Sequence, residues 1–224
     1  MHPWEQEYRK PQFITLGTEP ISDVRDFAQW LRRKQQVDMT DFVVLDLGCG
    51  NGKHLKYFVE NFAQSGIGYD ISKTAIDMAR KLAGDLDVVY EVRSIGEKLP
   101  LADASVDIVI DATSSHALST RERNIFLSET ARVLKPGGYM FVRTLAMEGD
   151  KNAKNLIKEF PGGEPNTYQL PGTGMTEQVF SQEDLVREFT EHFEILFTEK
   201  TSGYQKWGNQ NYKRNYWVMY LQRK

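Results

Sequence analysis

The chain has 224 residues, enough for one α/β domain with a short extra segment and a proper core. Apolar residues make up 40% and charged residues 26%, a balance that excludes a disordered or fibrous chain. The net charge of −3 provides no global basic field, which weighs against a nucleic-acid partner but leaves a local basic patch open. Cys49 is the only cysteine, so no intramolecular disulfide can form, as suits a reducing compartment. The N-terminus has no apolar signal core, and no run approaches the length of a membrane span. The chain therefore reads as cytoplasmic, with no membrane partner.

The first twenty residues are aromatic and turn-rich, with Trp4, Tyr8 and Phe13 among Pro11, Gly17 and Pro20. Residues 21–36 read as a helix, because Val24, Phe27, Trp30 and Leu31 recur at helical spacing. The run 42–47 reads as a buried strand that ends in glycines. A helix at 53–63 and a strand at 67–70 follow. Ser72 is placed to cap a helix that runs to about Leu82. Strands are expected at 88–92 and 106–110. A helix at 120–134 stops at Lys135-Pro136-Gly137-Gly138, and a fifth strand covers 139–143. Residues 146–179 are rich in glycine and proline and lack a period. They predict a mobile lid that makes a few contacts but no core. A helix at 182–190 and strands near 193–200 and 213–222 close the chain. The last two have no helix between them and should pair antiparallel. Alternating strands and helices imply a mainly parallel sheet covered on both faces. The whole reads as one domain over 1–224. It comprises an N-terminal extension and helix at 1–36, a cofactor-binding core at 40–145, the lid at 146–179, and a C-terminal helix and hairpin at 180–224.

The most informative stretch is Val44-Leu45-Asp46-Leu47-Gly48-Cys49-Gly50-Asn51-Gly52, a glycine loop between a strand and a helix. There the backbone must turn tightly and let a ligand approach closely. Asp70 ends the next strand, where a ribose would want a carboxylate for its hydroxyls. The dinucleotide fingerprint needs a sixth-position glycine, and Lys53 stands there. Asp46 would repel a pyrophosphate but suits a cation. S-adenosylmethionine carries an ammonium, a sulfonium and a ribose, and no phosphate. It fits these acids better than a nucleotide does.

With VLDLGCGNG at 44–52, GYDIS at 68–72, GEKLPLADASVDIVI at 96–110 and ARVLKPGGYMFV at 131–142, the sequence resembles the class I S-adenosylmethionine-dependent methyltransferase family. The likeness covers roughly residues 40 to 145. It implies a Rossmann-like α/β fold: a seven-stranded, mostly parallel sheet with an antiparallel C-terminal hairpin and helices on both faces. It also implies S-adenosyl-L-methionine as cofactor. Gly48, Cys49 and Gly50 should line the methionine part through their backbone, and Asp46 should serve its amino group. Asp70 should hold the ribose hydroxyls. Ile71 should pack on the adenine, and Gly96 should approach the adenine edge. Asp111 should lie near the amino-acid end. Many relatives carry Asp or Asn where Ile95 stands, which leaves the adenine amine to backbone or water.

His116 follows the fourth strand, at the sheet edge where open α/β sheets bind ligands, and is the candidate proton acceptor. It could equally cap the next helix. Trp4, Tyr8 and Phe13 could cover the site or form a packed extension. Cys49 reads as a small loop residue, and His2, His54 and His192 as surface residues. No His, Cys and carboxylate cluster has metal-ligand spacing, so no metal is expected. Lys206, Trp207, Tyr212, Lys213, Arg214, Tyr216 and Trp217 interleave base and aromatic, which suits nucleic acid or, more simply, a half-buried hairpin. The chain lacks the Asn- or Asp-Pro-Pro-aromatic motif after the fourth strand and a second cysteine for attack on a pyrimidine. The remaining reading is methyl transfer to a small-molecule acceptor. The rivals are a tRNA or other RNA methyltransferase and a non-catalytic, cofactor-binding partner subunit. Neither the acceptor nor the oligomeric state is legible.

Overall fold

The computed structural model describes residues 1–224 except Gly208 and Asn209, and leaves aside the side chains of residues 206–210. Two helices, α1 (Pro3–Arg9) and α2 (Ser22–Arg33), precede β1 (Val43–Leu47). Then come α3 (Lys53–Asn61), β2 (Ser65–Asp70), α4 (Lys73–Ala83), β3 (Val88–Val92) and β4 (Val106–Ala112). A short 3-10 turn (Ser115–Ala117) leads into α5 (Thr120–Val133) and β5 (Leu134–Leu145). The chain continues through α6 (Lys151–Glu159), β6 (Thr167–Gln169), β7 (Thr176–Gln178), α7 (Gln182–Phe189), β8 (Phe193–Trp207) and β9 (Gln210–Arg223).

The main sheet runs β3-β2-β1-β4-β5-β9-β8. The first five strands are parallel, and β9 lies antiparallel to both neighbours. This is the expected seven-stranded arrangement with a reversed hairpin. Alternation along the strands divides the core. Leu45, Leu47, Val109, Met140 and Val142 face α5 and α7, while Val44, Ile108, Ile110 and Phe141 face α2, α3 and α4. Helices therefore cover both faces. Phe27 of α2 meets Phe141 and Tyr220 at ring-centroid distances of 5.5 and 4.9 Å.

Three departures from the sequence reading have local causes. Residues 3–9 form a helix, with Pro3 in the first turn and the His2 side chain accepting from the Trp4 amide. The breaker cluster at 135–138 lies inside β5 rather than before it. The ladder pairs Val106 with Leu134, shifts, and resumes at Ile108 with Tyr139. A Cβ on Gly138 would fall 2.8 Å from the Lys135 carbonyl oxygen, so only glycine follows that bulge.

The third departure is the segment 146–179, expected to lack a core. It folds as α6 and the antiparallel ribbon β6–β7. Tyr168, Leu170, Met175 and Val179 are buried and pack with Phe13, Leu145, Ala153 and Tyr216 as a third apolar cluster. Local periodicity could not reveal it, because its partners come from distant parts of the chain. Arg214 of β9 lies beneath, donating from Nε to Asp150 Oδ2 at 2.9 Å and from a terminal nitrogen to Tyr168 Oη at 2.7 Å. Removing either charge would strand the other in the interior, at about 3–5 kcal/mol. Among the described residues no helix is long and apolar enough to cross a membrane.

The amides of Gln169, Leu170 and Val179 donate to Phe160, Met175 and Asn166 carbonyls inside this segment. In ligand-free protein they should exchange slowly with solvent. Hydrogen exchange read by mass spectrometry checks this. Complete exchange there within seconds would make the segment the mobile lid of the sequence reading.

Candidate functional site

The chain runs outward from β1 to β2 and β3, then returns to β4 beside β1. The crevice between β1 and β4 is thus the switch point of the sheet, where open α/β folds bind ligands. The glycine loop stands there. Gly48 and Gly50 have φ of +74° and +55°, and a Cβ on either would collide with Ser114 at 2.3 Å or Tyr8 Oη at 2.4 Å. The loop amides are already engaged. Gly48 and Cys49 donate to the Tyr69 carbonyl at 2.8 and 2.9 Å, and Gly50 donates to Asp70 Oδ2 at 2.9 Å. This loop offers no free nest of amides to a phosphate.

Three acids meet at this edge. Asp70 also accepts from the Ser72 amide at 2.8 Å, and burial pushes its carboxyl up to about 6. Asp111 Oδ1 accepts from the Ser114 and Ser115 amides at 3.1 Å, so it shapes the loop after β4. Asp46 is different. It is 1% exposed, and neither of its oxygens has a hydrogen-bond partner. Burial first, then the charges of Asp70 and Asp111, push its carboxyl up to about 8.

A cavity of about 190 Å³ opens beside Asp70, lined by Trp4, Tyr8, Gly48, Asp70, Ile71 and Ile95, with Asp46 and Asp111 buried behind its wall. Ile71 is half exposed toward it, whereas Ile95 is buried and continuous with the core. Gly96 does not line it. A Cβ there would fall 2.7 Å from Glu122 Cβ, so α5 is what requires that glycine. A second cavity of about 280 Å³ shares Trp4, Tyr8, Gly48 and Thr113 with the first and continues past Cys49 to His116, Arg143 and Glu177.

The N-terminal helix is both packed and part of the site. Glu5 Oε2 accepts from Ser72 Oγ at 2.7 Å and the Thr74 amide at 3.0 Å, and its Oε1 accepts from Thr74 Oγ1 at 2.7 Å. These bonds hold its carboxyl down at about 2. They pin α1 to the start of α4 and set Trp4 and Tyr8 over the glycine loop.

His116 sits in the 3-10 turn, 4% exposed, with Nε2 3.7 Å from Glu177 Oε1 and a buried Nδ1 that has no partner. Glu177 comes from β7, and Tyr168 Oη donates to its Oε2 at 2.5 Å. Burial raises the Glu177 carboxyl, but the His116 contact and the Arg214 charge outweigh it and hold it below the usual carboxylate range. Sequence reasoning missed Glu177, Tyr168 and Arg214 as a group. They lie far from His116 along the chain and carry no motif.

His54, expected at the surface, is buried on α3, and burial drives its imidazole down to about 3, leaving it neutral. The alternation rule could not flag it, because its helix face turns toward the sheet. His2 is exposed and His192 half-exposed. Burial, with Asp46 and Asp70 nearby, pushes the Cys49 thiol up, so it stays protonated. Among the described residues no group of three His, Cys, Asp or Glu side chains could hold a metal ion. In the hairpin, Arg214, Tyr216 and Trp217 are buried, while the Lys206 and Trp207 side chains lie outside the described residues.

Residues 44–138 match the model of a family described as "Methyltransferase domain". The phthiotriol/phenolphthiotriol dimycocerosates methyltransferase of Mycobacterium tuberculosis is 32% identical over 137 residues, 61% of this chain and 50% of that protein. The tRNA U34 carboxymethyltransferase of Shewanella frigidimarina is 27% identical over 170 residues, 74% of this chain and 51% of that protein. The chain thus spans about half the length of these curated relatives. A crystal structure of a SAM-dependent methyltransferase from Methanosarcina mazei superposes with a TM-score of 0.71 at 24% identity, covering 85% of this chain and 96% of that one. At that identity the likeness shows the fold.

The raised Asp46 carboxyl has a consequence for stability. Between about pH 4 and pH 8 the folded protein holds a proton that the unfolded chain has lost. Stability through this group therefore falls as pH rises across that window. Asp46→Asn removes the effect, so the variant's melting temperature relative to wild type should climb from pH 4.5 to pH 8 in ligand-free protein. A difference that stays flat across that range would mean Asp46 is ionised and solvated in the fold.

Proposed function

We propose that this chain is a class I S-adenosylmethionine-dependent methyltransferase, and that it transfers a methyl group to a small-molecule acceptor. One observation carries the reading: a buried carboxyl group with no hydrogen-bond partner, Asp46, beneath a glycine loop whose Gly48, Cys49 and Gly50 amides are already donated. Such a group calls for a cationic donor and disfavours a phosphate. The residues fit S-adenosylmethionine, which when bound supplies a methyl group on a sulfonium. Asp46 would serve its ammonium, and the spare lone pairs of Asp70 its ribose hydroxyls. Ile71 and Ile95 would flank the adenine. Trp4 and Tyr8, carried by α1, line the cleft and would shield a bound cofactor from water.

Methyl transfer by in-line displacement asks the protein mainly for alignment. Where the acceptor must lose a proton, His116 is placed to take it. With Nε2–H turned to Glu177, Nδ1 keeps its lone pair as the proton acceptor. Glu177 would steady the imidazolium that results. The tRNA reading draws on the names of several relatives. Arg214, Tyr216 and Trp217 are committed to the interior, which leaves Tyr204, Tyr212 and Lys213 among the exposed aromatic and basic residues described on the hairpin.

Titration calorimetry should show binding of S-adenosylmethionine and S-adenosylhomocysteine, and none of NAD. Asp70→Ala should weaken both by about 0.5–1.5 kcal/mol for each hydrogen bond lost. Unchanged affinity in Asp70→Ala would remove the ribose assignment. Once an acceptor is in hand, His116→Ala should lower turnover by about 10²-fold or more. Near-normal turnover would leave His116 a packing residue.

A further inference from the structure

The cavity beyond the glycine loop carries cations that its own acids do not use. Lys53, the first residue of α3, and Arg143 of β5 both line it. Lys53 makes no ion pair or hydrogen bond among the described residues. Burial, then the nearby Arg143 charge, push its ammonium below its ordinary value, against an opposing pull from Asp46. Arg143 is held rigidly from behind. Its Nε donates to Asp23 Oδ2 at 2.8 Å, and its guanidinium lies 3.5 Å from the Tyr216 ring centroid. The two terminal nitrogens of that fork find no acceptor among the described residues. The cavity's own carboxylate, Glu177, is taken up by His116, Tyr168 and Arg214. His54 beside Lys53 is neutral and cannot share the load. A stacked, pre-oriented guanidinium with free terminal donors, next to an unpaired ammonium, is the donor set that recognises a carboxylate.

We propose that Lys53 and Arg143 form a carboxylate subsite, and that the methyl acceptor is a small organic acid with an apolar body. The acceptor half of this statement rests on the methyltransferase reading. Phe13, Trp4 and Tyr216 supply the apolar walls of the same cavity. Two carboxylates could occupy the subsite: the acceptor's, or the one at the cofactor's amino-acid end. Placement favours the acceptor. Lys53 and Arg143 share their cavity with His116 and Glu177 as well as with Gly48, Cys49 and Gly50 of the glycine loop, and neither lines the cavity that holds Asp70 and Ile71.

Benzoate and its neutral isostere benzamide are suitable probes, titrated calorimetrically into the full chain with and without saturating S-adenosylhomocysteine. Benzoate should bind the S-adenosylhomocysteine-loaded protein at least about tenfold more tightly than benzamide. Lys53→Met should weaken benzoate by about tenfold, the order expected for one charge-assisted hydrogen bond. Arg143→Lys keeps the charge and loses the fork, and it should weaken benzoate as well, with circular dichroism confirming that both variants are folded. No benzoate binding, equal affinity for the two probes, or unchanged benzoate affinity in Lys53→Met would overturn the subsite. Displacement of benzoate by S-adenosylhomocysteine would assign the two cations to the cofactor and overturn the acceptor class. If S-adenosylhomocysteine itself fails to bind, the methyltransferase reading fails on its own account, and the benzoate and benzamide comparison still judges the subsite.

Discussion

A carboxyl group set inside a parallel strand governs this molecule. Asp46 stands in a run of valine and leucine, fully enclosed, where an ionised group loses several kcal/mol of hydration. Its neighbours at the sheet edge resolve the same difficulty with their own backbone. Asp70 takes the amides of Gly50 and Ser72, and Asp111 takes those of Ser114 and Ser115. Neither Asp46 oxygen has a hydrogen-bond partner of normal geometry, and burial with the other two acids raises its carboxyl against an opposing pull from the Leu55 amide and Lys53. Asp70 is satisfied at both oxygens, Asp111 at one and Asp46 at neither, which makes a site with a sign. A cation relieves the repulsion, whereas a phosphate meets three acids and amides that have already been donated. The glycine loop thus serves packing as much as ligand approach, because the space at Gly48 and Gly50 is filled by Ser114 and Tyr8.

The N-terminal helix belongs to the same logic. Seven residues cannot hold a helix in water on their own. Glu5 fixes it by bonding to Ser72 and Thr74 at the start of α4, and Glu7 Oε1 gathers the amides of Gln12, Phe13 and Ile14 behind it. The same α4 start, through the Ser72 amide, orients Asp70. The element that covers the cleft and the acid inside it are therefore held by one small polar cluster, and a change at Glu5 acts on both.

Much of this was legible in the residues. The glycine loop, the acids at 46 and 70 and the succession of strands and helices follow from local pattern, since tight turns and buried strands leave marks within a few residues. Ser72 as a cap and the reversed hairpin were legible for the same reason. His54 was misplaced because a helix face turned to the sheet looks, residue by residue, like any polar helix position. The segment 146–179 failed differently. Its glycines and prolines read as breakers, yet they mark turns between short elements whose apolar partners, Phe13, Leu145 and Tyr216, lie elsewhere in the chain. Lys53 was visible only as the residue that spoiled a dinucleotide fingerprint. Its environment depends on Arg143, a pairing that only the sheet creates.

The proposed acceptor side of the cleft differs in kind from the proposed cofactor side. The proposed cofactor side is built on the tips of adjacent strands, with Trp4 and Tyr8 of α1 over them and Ser114, Leu118 and Glu122 beyond β4. The acceptor side is built where β7 and β9 meet the turn after β4. There each polar group is fixed by another: His116 faces Glu177, Glu177 is held by Tyr168 and Arg214, and Arg214 is held by Asp150 and Gln205. The chain of contacts ends in a guanidinium that is 2% exposed. A group so enclosed cannot adjust to a different acceptor without breaking a buried ion pair. On the proposed reading, selectivity on this side would be carried by a folded network and by the hairpin behind it. A substitution at Arg214, which lines neither cavity of the cleft, would reach the acceptor through Glu177 and His116.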